Sequence, residues 1–354
     1  MKSNDSPSAP NPFSTALLHW YGMYRRPLPW RDTRDAYAIW LSEIILQQTR
    51  VEQGQPYWER FMSRWPTVEQ LASATEDEVL REWQGLGYYS RGRNLLAAAR
   101  QVVELGGFPQ AMEGLRALRG VGDYTAAAIG SMAFGLHEAV VDGNVYRLLA
   151  RYFGIDTPVG TARAKHEFTA LAQALLPRGQ AAEWNQAAMD FGATMCTPRN
   201  ARCIECPLAE TCAAFRQGRV GELPVKQRKQ KATERHLIYI YIRCKGQTAL
   251  HRRGPGDIWQ GLWEPLLIED GGLPQLDGRL MLLRQGVRHV LTHRVLLADL
   301  YLLETERCPA LPPGYVWIAE QDIDRYGVPR LVELLLEALP KFPTLDAKSS
   351  ASYV

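Results

Sequence analysis

The chain has 354 residues, 46% of them hydrophobic and 22% charged, with a formal net charge of +3 and a pI near 8.5. This is an ordinary soluble composition with length enough for two cores, and its charge permits a nucleic-acid partner while falling short of a strongly basic signature. No stretch approaches eighteen uninterrupted apolar residues, which excludes a membrane-spanning helix.

The opening MKSNDSPSAPNPF is polar and Pro/Ser-rich, with no apolar region behind a basic start. Residues 1–12 are therefore expected to be a disordered N-terminus, and the protein to be cytoplasmic, nucleoid-associated if bacterial. From Phe13 to Met195 one helical segment follows another, each bounded by Gly, Pro or Asx: PYWERFMSRWP, TEDEVLREWQGLG, SRGRNLLAAARQVVELGG, GNVYRLLARYFG and EWNQAAMDFGATMC. No β-alternation interrupts them, so an all-α domain over 13–215 is expected.

Within the first apolar run, AYAIWLSEIILQQTR, Glu43 breaks the pattern. Ile39, Trp40, Leu46 and Gln47 lie three or four positions away, and three of these four are apolar. Desolvation disfavours a charged carboxyl in such company and raises its pKa, which keeps an acid protonated near neutral pH and ready to donate. The plainer alternative is a Glu at the edge of an apolar face or paired with an Arg. Further on, LRALRGVGDYTAAAIGSMAF reads as two short helices joined at Gly120, Val121 and Gly122. Glycines there allow a tight turn and close approach, and the free N–H groups opening the next helix suit a phosphate. In VVDGNVYRLLARYFG, Asp142 stands at a helix mouth, where it can cap the helix, act chemically, or do both.

The segment CTPRNARCIECPLAETC holds Cys196, Cys203, Cys206 and Cys212, with six, two and five residues between them. Four soft thiolates suit zinc or an iron–sulfur cluster, and spacing alone does not choose between them. Arg199 and Arg202 inside the loop favour a structural staple offering basic groups to phosphate over a redox centre. Cys244 and Cys308 stand alone, so no disulfide framework is expected. Residues 216–235, with seven Lys/Arg against two Glu, read as a basic interdomain linker. Beyond it HLIYIYIRC, TALHRR, LWEPLLIE, HVLTHRVLLADLYLLET and GYVWIAE look like strands and PRLVELLLEAL like a closing helix, an α+β domain over 236–345 before a tail at 346–354.

Taken together, the four-cysteine spacing, LRGVGDYTAAAI and VDGNVYR resemble the endonuclease III superfamily of helix-hairpin-helix DNA glycosylases. SEIILQQTRV, LGYYSRGRNL and VDGNVYR are similar to the MutY-type adenine glycosylases within it, over roughly Pro27 to Cys212 and more loosely beyond. The resemblance implies a multidomain chain: an all-α glycosylase domain with an iron–sulfur loop at 196–212, then an α+β Nudix-like domain that inspects 8-oxoguanine. It also implies a four-iron, four-sulfur cluster on the four cysteines and, as substrate, double-stranded DNA carrying 8-oxoguanine:adenine or guanine:adenine mispairs. The protein is expected to act as a monomer.

Residue by residue, the resemblance implies Glu43 as the acid that protonates adenine at N7 and Asp142 as the anion supporting the sugar cation. Asn144 would orient Asp142 or water, and Tyr124 would lie against Asp142. Endonuclease III relatives carry a Lys where Tyr124 stands, so a monofunctional enzyme that does not cut the strand is expected. Trp30, Arg31 and Gln186 would line the adenine pocket, while Gln48, Thr49, Leu86, Tyr88 and the Gly120-Val121-Gly122 turn would contact DNA or the lesion. Two adjacent tyrosines flanked by Gly87 and Arg91 favour exposure of Tyr88. The family's Phe-Ser-His in the second domain appears here as Leu291, Thr292 and His293, which keeps a hydroxyl for the lesion but loses an aromatic face. The Nudix catalytic box is absent from residues 236–354, which argues against pyrophosphatase activity. The rival readings are a thymine or oxidised-pyrimidine glycosylase of the same superfamily and a non-catalytic iron–sulfur DNA-binding protein.

Overall fold

The computed structural model describes residues 11–227, 233–269, 271–291 and 294–340. These fall into two compact units: one holds the described residues through Glu82 and those from Ser90 to 227, and the other holds Trp83–Tyr89 and the described residues from 233 onward. The expected N-terminal disorder and C-terminal tail lie almost wholly outside the described residues. The exceptions are Asn11 and Pro12: Asn11 caps the first helix, its side-chain oxygen accepting the Phe13 amide at 2.9 Å, and Pro12 takes the first helical position, where its missing N–H costs nothing. Among the described residues no helix is long and apolar enough to cross a membrane.

The helical unit begins with α1 (Pro12–Tyr24), a 3-10 turn at Pro29–Arg31, α2 (Ala36–Leu46), α3 (Val51–Arg64), α4 (Val68–Ser73) and α5 (Glu76–Glu82). It continues with α6 (Ser90–Glu104), α7 (Met112–Ala117), α8 (Asp123–Phe134), α9 (Gly143–Phe153), α10 (Ala162–Leu175), α11 (Ala181–Thr194) and the short α12 (Ala213–Arg216). The expected helix at PYWERFMSRWP starts five residues earlier, so Pro56 sits inside α3 rather than at its head. Helix α2 is buried at every position from Tyr37 to Ile45, as a helix must be when its apolar residues run all the way round. The small residues of α8, notably Ala127 and Ala128, pack with Ile39 of α2 and Val140 in a core of their own. A second core joins α1, α9, α10 and α11 through Phe13, Leu149, Phe168 and Trp184.

The segment expected to be a free linker is not one over its described part. Leu223 accepts from the Arg151 guanidinium at 3.0 Å, and the Val159 amide donates to the Val225 carbonyl at 2.9 Å, tying residues up to 227 to the helical unit. At the other end Thr233, Glu234 and Arg235 already belong to a strand. Lys/Arg-rich composition marked a surface stretch; backbone hydrogen bonding decided which side it joined.

Among the described residues the second unit is a seven-stranded mixed sheet: β1 (Thr233–Cys244), β2 (Gln247–Arg252), β3 (Trp263–Glu264), β4 (Leu266–Glu269), β5 (Arg279–Val290), β6 (Arg294–Thr305) and β7 (Tyr315–Ala319), closed by α13 (Arg330–Ala338). Strand β1 runs parallel to β6 and antiparallel to β2 and β4, while β5 is antiparallel to β6. Alternation along β1 explains its two faces. Leu237, Tyr239 and Tyr241 pack with Leu331 and Leu335 of α13, and Ile240 and Ile242 face a separate core with Leu266 and Leu303. Two expected strands are each divided. LWEPLLIE splits at Pro265, which has no amide for a ladder, and HVLTHRVLLADLYLLET is the end of β5 followed by all of β6. Most of β5 escaped sequence reading because register shifts and Gly286 break its alternation.

Cys244 and Cys308 do not stand alone: they form a disulfide, with Cα atoms 5.6 Å apart. Their separation of 64 residues hid the pairing, and the β1–β6 ladder, which sets Cys244 opposite Thr305, brings them together.

Candidate active site

Helix α2 carries Glu43 into the interior, where it is only 8% exposed. The α2 C-terminus is held by Arg91 of α6, whose guanidinium donates to the carbonyls of Ile44 and Ile45, each at 3.0 Å, and to that of Gln47. These are orphan acceptors that a helix end leaves behind. Arg91, read in sequence as one of the flanks that favour exposure of Tyr88, is itself turned inward. Of the two adjacent tyrosines Tyr89 is buried and Tyr88 is 54% exposed, with a left-handed backbone (φ 46°) that a bulky residue rarely adopts. Leu86, expected at the DNA surface, is buried, since an apolar side chain there gains more from the interior than from water.

From α8, the Tyr124 hydroxyl donates to Glu43 Oε2 at 2.8 Å. The expectation placed Tyr124 against Asp142; its hydrogen bond goes to the other carboxyl. Asp142 caps α9: its Oδ1 accepts the amides of Asn144 (2.9 Å) and Val145 (2.8 Å), and its Oδ2 accepts the Asn144 side-chain amide at 2.7 Å. Asn144 is oriented in turn by Arg147, whose guanidinium donates to Asn144 Oδ1 at 2.8 Å and also to the carbonyls of Gly192 (2.6 Å) and Cys196 (2.7 Å).

The two carboxyls are both buried but differ in the donors that face them. Burial pushes Glu43 up to about 7; the Tyr124 bond and Arg31 oppose the rise and the Asp142 charge adds to it. Burial is the largest influence at Asp142 too and leaves its pKa raised, while three N–H donors and Arg147 oppose the rise and favour its anion. Glu43 has a single hydroxyl donor, so it is the better proton holder and Asp142 the better-supported negative charge.

A cavity of about 150 Å³ opens between these groups. Glu43, Tyr124, Asp142 and Asn144 line it together with Trp30, Arg31, Thr49 and Gln186, so eight residues singled out in sequence, scattered from position 30 to 186, share one space. Trp30 is buried edge-on against Trp58, with ring centroids 5.6 Å apart. Gln48, next to Thr49, is exposed and left-handed (φ 58°). In the hairpin, Gly120 adopts φ 75°, and a Cβ there would come within 2.7 Å of Asn94 Cβ. Gly120 and Gly122 are exposed, whereas Val121 is buried and its amide is taken by the Leu118 carbonyl at 3.1 Å, so the turn offers its glycines rather than Val121. Thr292 and His293 lie outside the described residues.

Sequence reasoning missed the anchor of the pocket. Asp190, with no exposed surface, accepts from Arg26 (2.8 Å) and Arg31 (2.6 Å). Burial alone would raise the Asp190 carboxyl, but these two guanidiniums outweigh it and hold it below its usual range. The available signal was spacing: Asp190 is four residues after Gln186 on α11, hence on the same face.

The four cysteines of the 196–212 loop line a single pocket walled by Leu148, Phe191 and Leu208. Burial raises the thiols of Cys203, Cys206 and Cys212, that of Cys206 up to about 11, and the Arg151 guanidinium lies 3.4 Å from Cys196 Sγ. Among the described residues no three His, Cys, Asp or Glu side chains converge on a position for a single ion. Four soft donors spread round a cavity fit a multi-atom cluster better than one ion. Arg199 is exposed, while Arg202 pairs with Glu205.

Comparison with known proteins gives the same division. Residues 41–174 match the model of the HhH-GPD superfamily base excision DNA repair protein, and residues 238–338 match the NUDIX domain. The chain is similar to the adenine DNA glycosylase of Buchnera aphidicola subsp. Schizaphis graminum, 34% identical over 254 residues that cover 71% of this chain and 73% of the relative. It is 46% identical over 226 residues to the adenine DNA glycosylase of Rattus norvegicus, covering 60% of this chain and 44% of that one. The chain thus spans less than half the length of the mammalian relatives it matches. Among solved structures, a thermostable thymine-DNA glycosylase is similar at a TM-score of 0.54 and 31% identity, over 58% of this chain and 95% of that one.

Proposed function

The chain belongs to the adenine DNA glycosylase family, and from that premise we propose that it hydrolyses the N-glycosidic bond of adenine mispaired with 8-oxoguanine or guanine in duplex DNA. The observation that carries this reading is the pairing in one 150 Å³ cavity of a carboxyl raised to about 7 with a second carboxyl held by three N–H donors.

The chemistry follows from that asymmetry. The adenine leaves the base stack, at a cost of about a few kcal/mol, and enters the cavity. Protonated Glu43 gives its proton to N7, the C1′–N9 bond breaks with its electron pair going to the base, and neutral adenine departs. Asp142 supports the positive charge left on the sugar, through space or by a transient bond, and water adds at C1′ while Glu43 recovers a proton. The product is an abasic site. Tyr124 has no amine to attack C1′, which supports a monofunctional enzyme that leaves the strand uncut.

Cys196, Cys203, Cys206 and Cys212 would hold a four-iron, four-sulfur cluster, whose contribution when bound is to brace the loop that supplies the carbonyl of Cys196 to Arg147. In this reading the exposed Gln48 and Tyr88 fill and probe the duplex vacated by the base, and the Nudix-like unit inspects 8-oxoguanine through Thr292 and His293.

A duplex with 8-oxoguanine opposite adenine tests the reading. Strand breakage only after alkali is the expected result. Breakage without alkali would mean a lyase, and intact DNA after alkali an inert binder. The similarity to a thymine-DNA glycosylase makes guanine opposite thymine the necessary parallel substrate, and preferential loss of thymine there would replace adenine as the substrate.

A further inference from the structure

Next to the base cavity, and sharing part of its lining, lies a larger one of about 450 Å³, and we propose that it is the departure chamber through which the excised purine leaves while abasic DNA is still bound. This rests on the adenine-excision reading above. The two cavities share Arg31, Met132 and Gln186 as a common wall. On the chamber side that wall is held by a neutral contact at Gln186: the Tyr21 hydroxyl donates to Gln186 Oε1 at 2.7 Å. Arg31, its guanidinium 5.9 Å from the Tyr21 ring centroid, is pinned by Asp190 and stays put. Gln186 is held there by a neutral hydrogen bond rather than by an ion pair. In this proposal rotation of its side chain, once the Tyr21 bond is broken, opens the partition without moving a helix.

Topological need and chemistry point the same way. After the glycosidic bond breaks, the sugar remains joined to phosphates on both sides, so the side by which the nucleotide entered stays occupied for as long as DNA is bound. The base needs another way out of a space of about 150 Å³. The chamber is three times larger, and its lining suits a neutral purine. Leu18 and Met132 offer apolar surface, while Gln180 and Glu183 can meet the donors and acceptors of the purine edge.

One position allows a clean test. Gly22, on α1, lines the chamber, and a Cβ there would meet nothing within 4 Å, so a side chain grows into open space. Full-length wild-type, Gly22→Phe and Gly22→Ala proteins, in excess over a duplex labelled in the mispaired adenine, are assayed for single-turnover excision and, separately, for labelled base released from the retained protein–DNA complex. Wild type is expected to free adenine before the abasic strand dissociates. Gly22→Phe is expected to excise at the wild-type rate but to release base about tenfold more slowly, a change confined to dissociation. Gly22→Ala gains at least as much helix propensity as Gly22→Phe without the bulk and is expected to match wild type. Release at the wild-type rate from Gly22→Phe, or release from wild type only together with the DNA, overturns the chamber while leaving excision intact. A wild-type protein that excises no labelled adenine removes the chamber and the adenine-excision reading together.

Discussion

The Tyr124 hydroxyl and Glu43 Oε2, 81 positions apart in the chain, meet at 2.8 Å where α8 crosses α2. This bond lowers the pKa of Glu43 against the larger, opposite effect of burial. Tyr124→Phe removes the donor and leaves burial unopposed at that oxygen, so the pKa of Glu43 rises further. The alkaline limb of the single-turnover pH–rate profile is expected to move to higher pH. A limb that stays in place, or moves down, would show that the bond does not govern the acid.

With Glu43 at about 7, excision should fall as pH rises through neutrality, because only the protonated form donates. Glu43→Gln keeps the shape and loses the proton, and is expected to slow excision by about 10²–10⁴-fold while DNA binding is retained.

The same substitution has a stability signature with a definite sign. Between its unfolded value, near 4.5, and about 7, Glu43 binds more proton when folded than when unfolded, so stability is full below that window and declines as pH rises through it. Glu43→Gln removes the part of the decline that Glu43 contributes. Its advantage over wild type should be absent at pH 4.5 and grow to about 3 kcal/mol above pH 7, an order-of-magnitude figure read as a Tm difference between pH 5 and pH 8.

Asp142 combines a helix cap with the proposed chemistry, and two substitutions separate them. Asn still accepts from the amides of residues 144 and 145, whereas Ala does not, so only Asp142→Ala should lose about 1 kcal/mol in denaturant unfolding. Both should lose about a thousandfold in excision rate. An Asn variant of normal activity would reduce Asp142 to its capping role.

Asp190→Asn leaves the Arg31 and Arg26 guanidiniums without their anion in a buried setting. A loss of about 3–5 kcal/mol is expected, together with weaker excision, because Arg31 lines the base cavity. Circular dichroism melts and single-turnover rates on the same preparation check both.

How much of this was legible beforehand depended on how local the signal was. The helical run, the four-cysteine spacing, the glycine turn and the misplaced Glu43 are patterns within a few residues of one another, so periodicity and spacing revealed them. The same patterns, through family resemblance, marked out eight residues that the fold then gathers into one cavity. The buried anchor Asp190, the inward turn of Arg91 and Leu86, the Tyr124–Glu43 bond and the Cys244–Cys308 pairing stayed hidden. Each depends on which distant segment lies opposite, and hydrogen-bond partners and burial are set by packing between elements rather than by composition within them. The sequence by itself determined which chemical groups this protein has and along which helices and strands they repeat. Only the tertiary structure decided which carboxyl is starved of donors and which is rich in them, since desolvation and charge act through space over a few ångströms, whatever the separation along the chain.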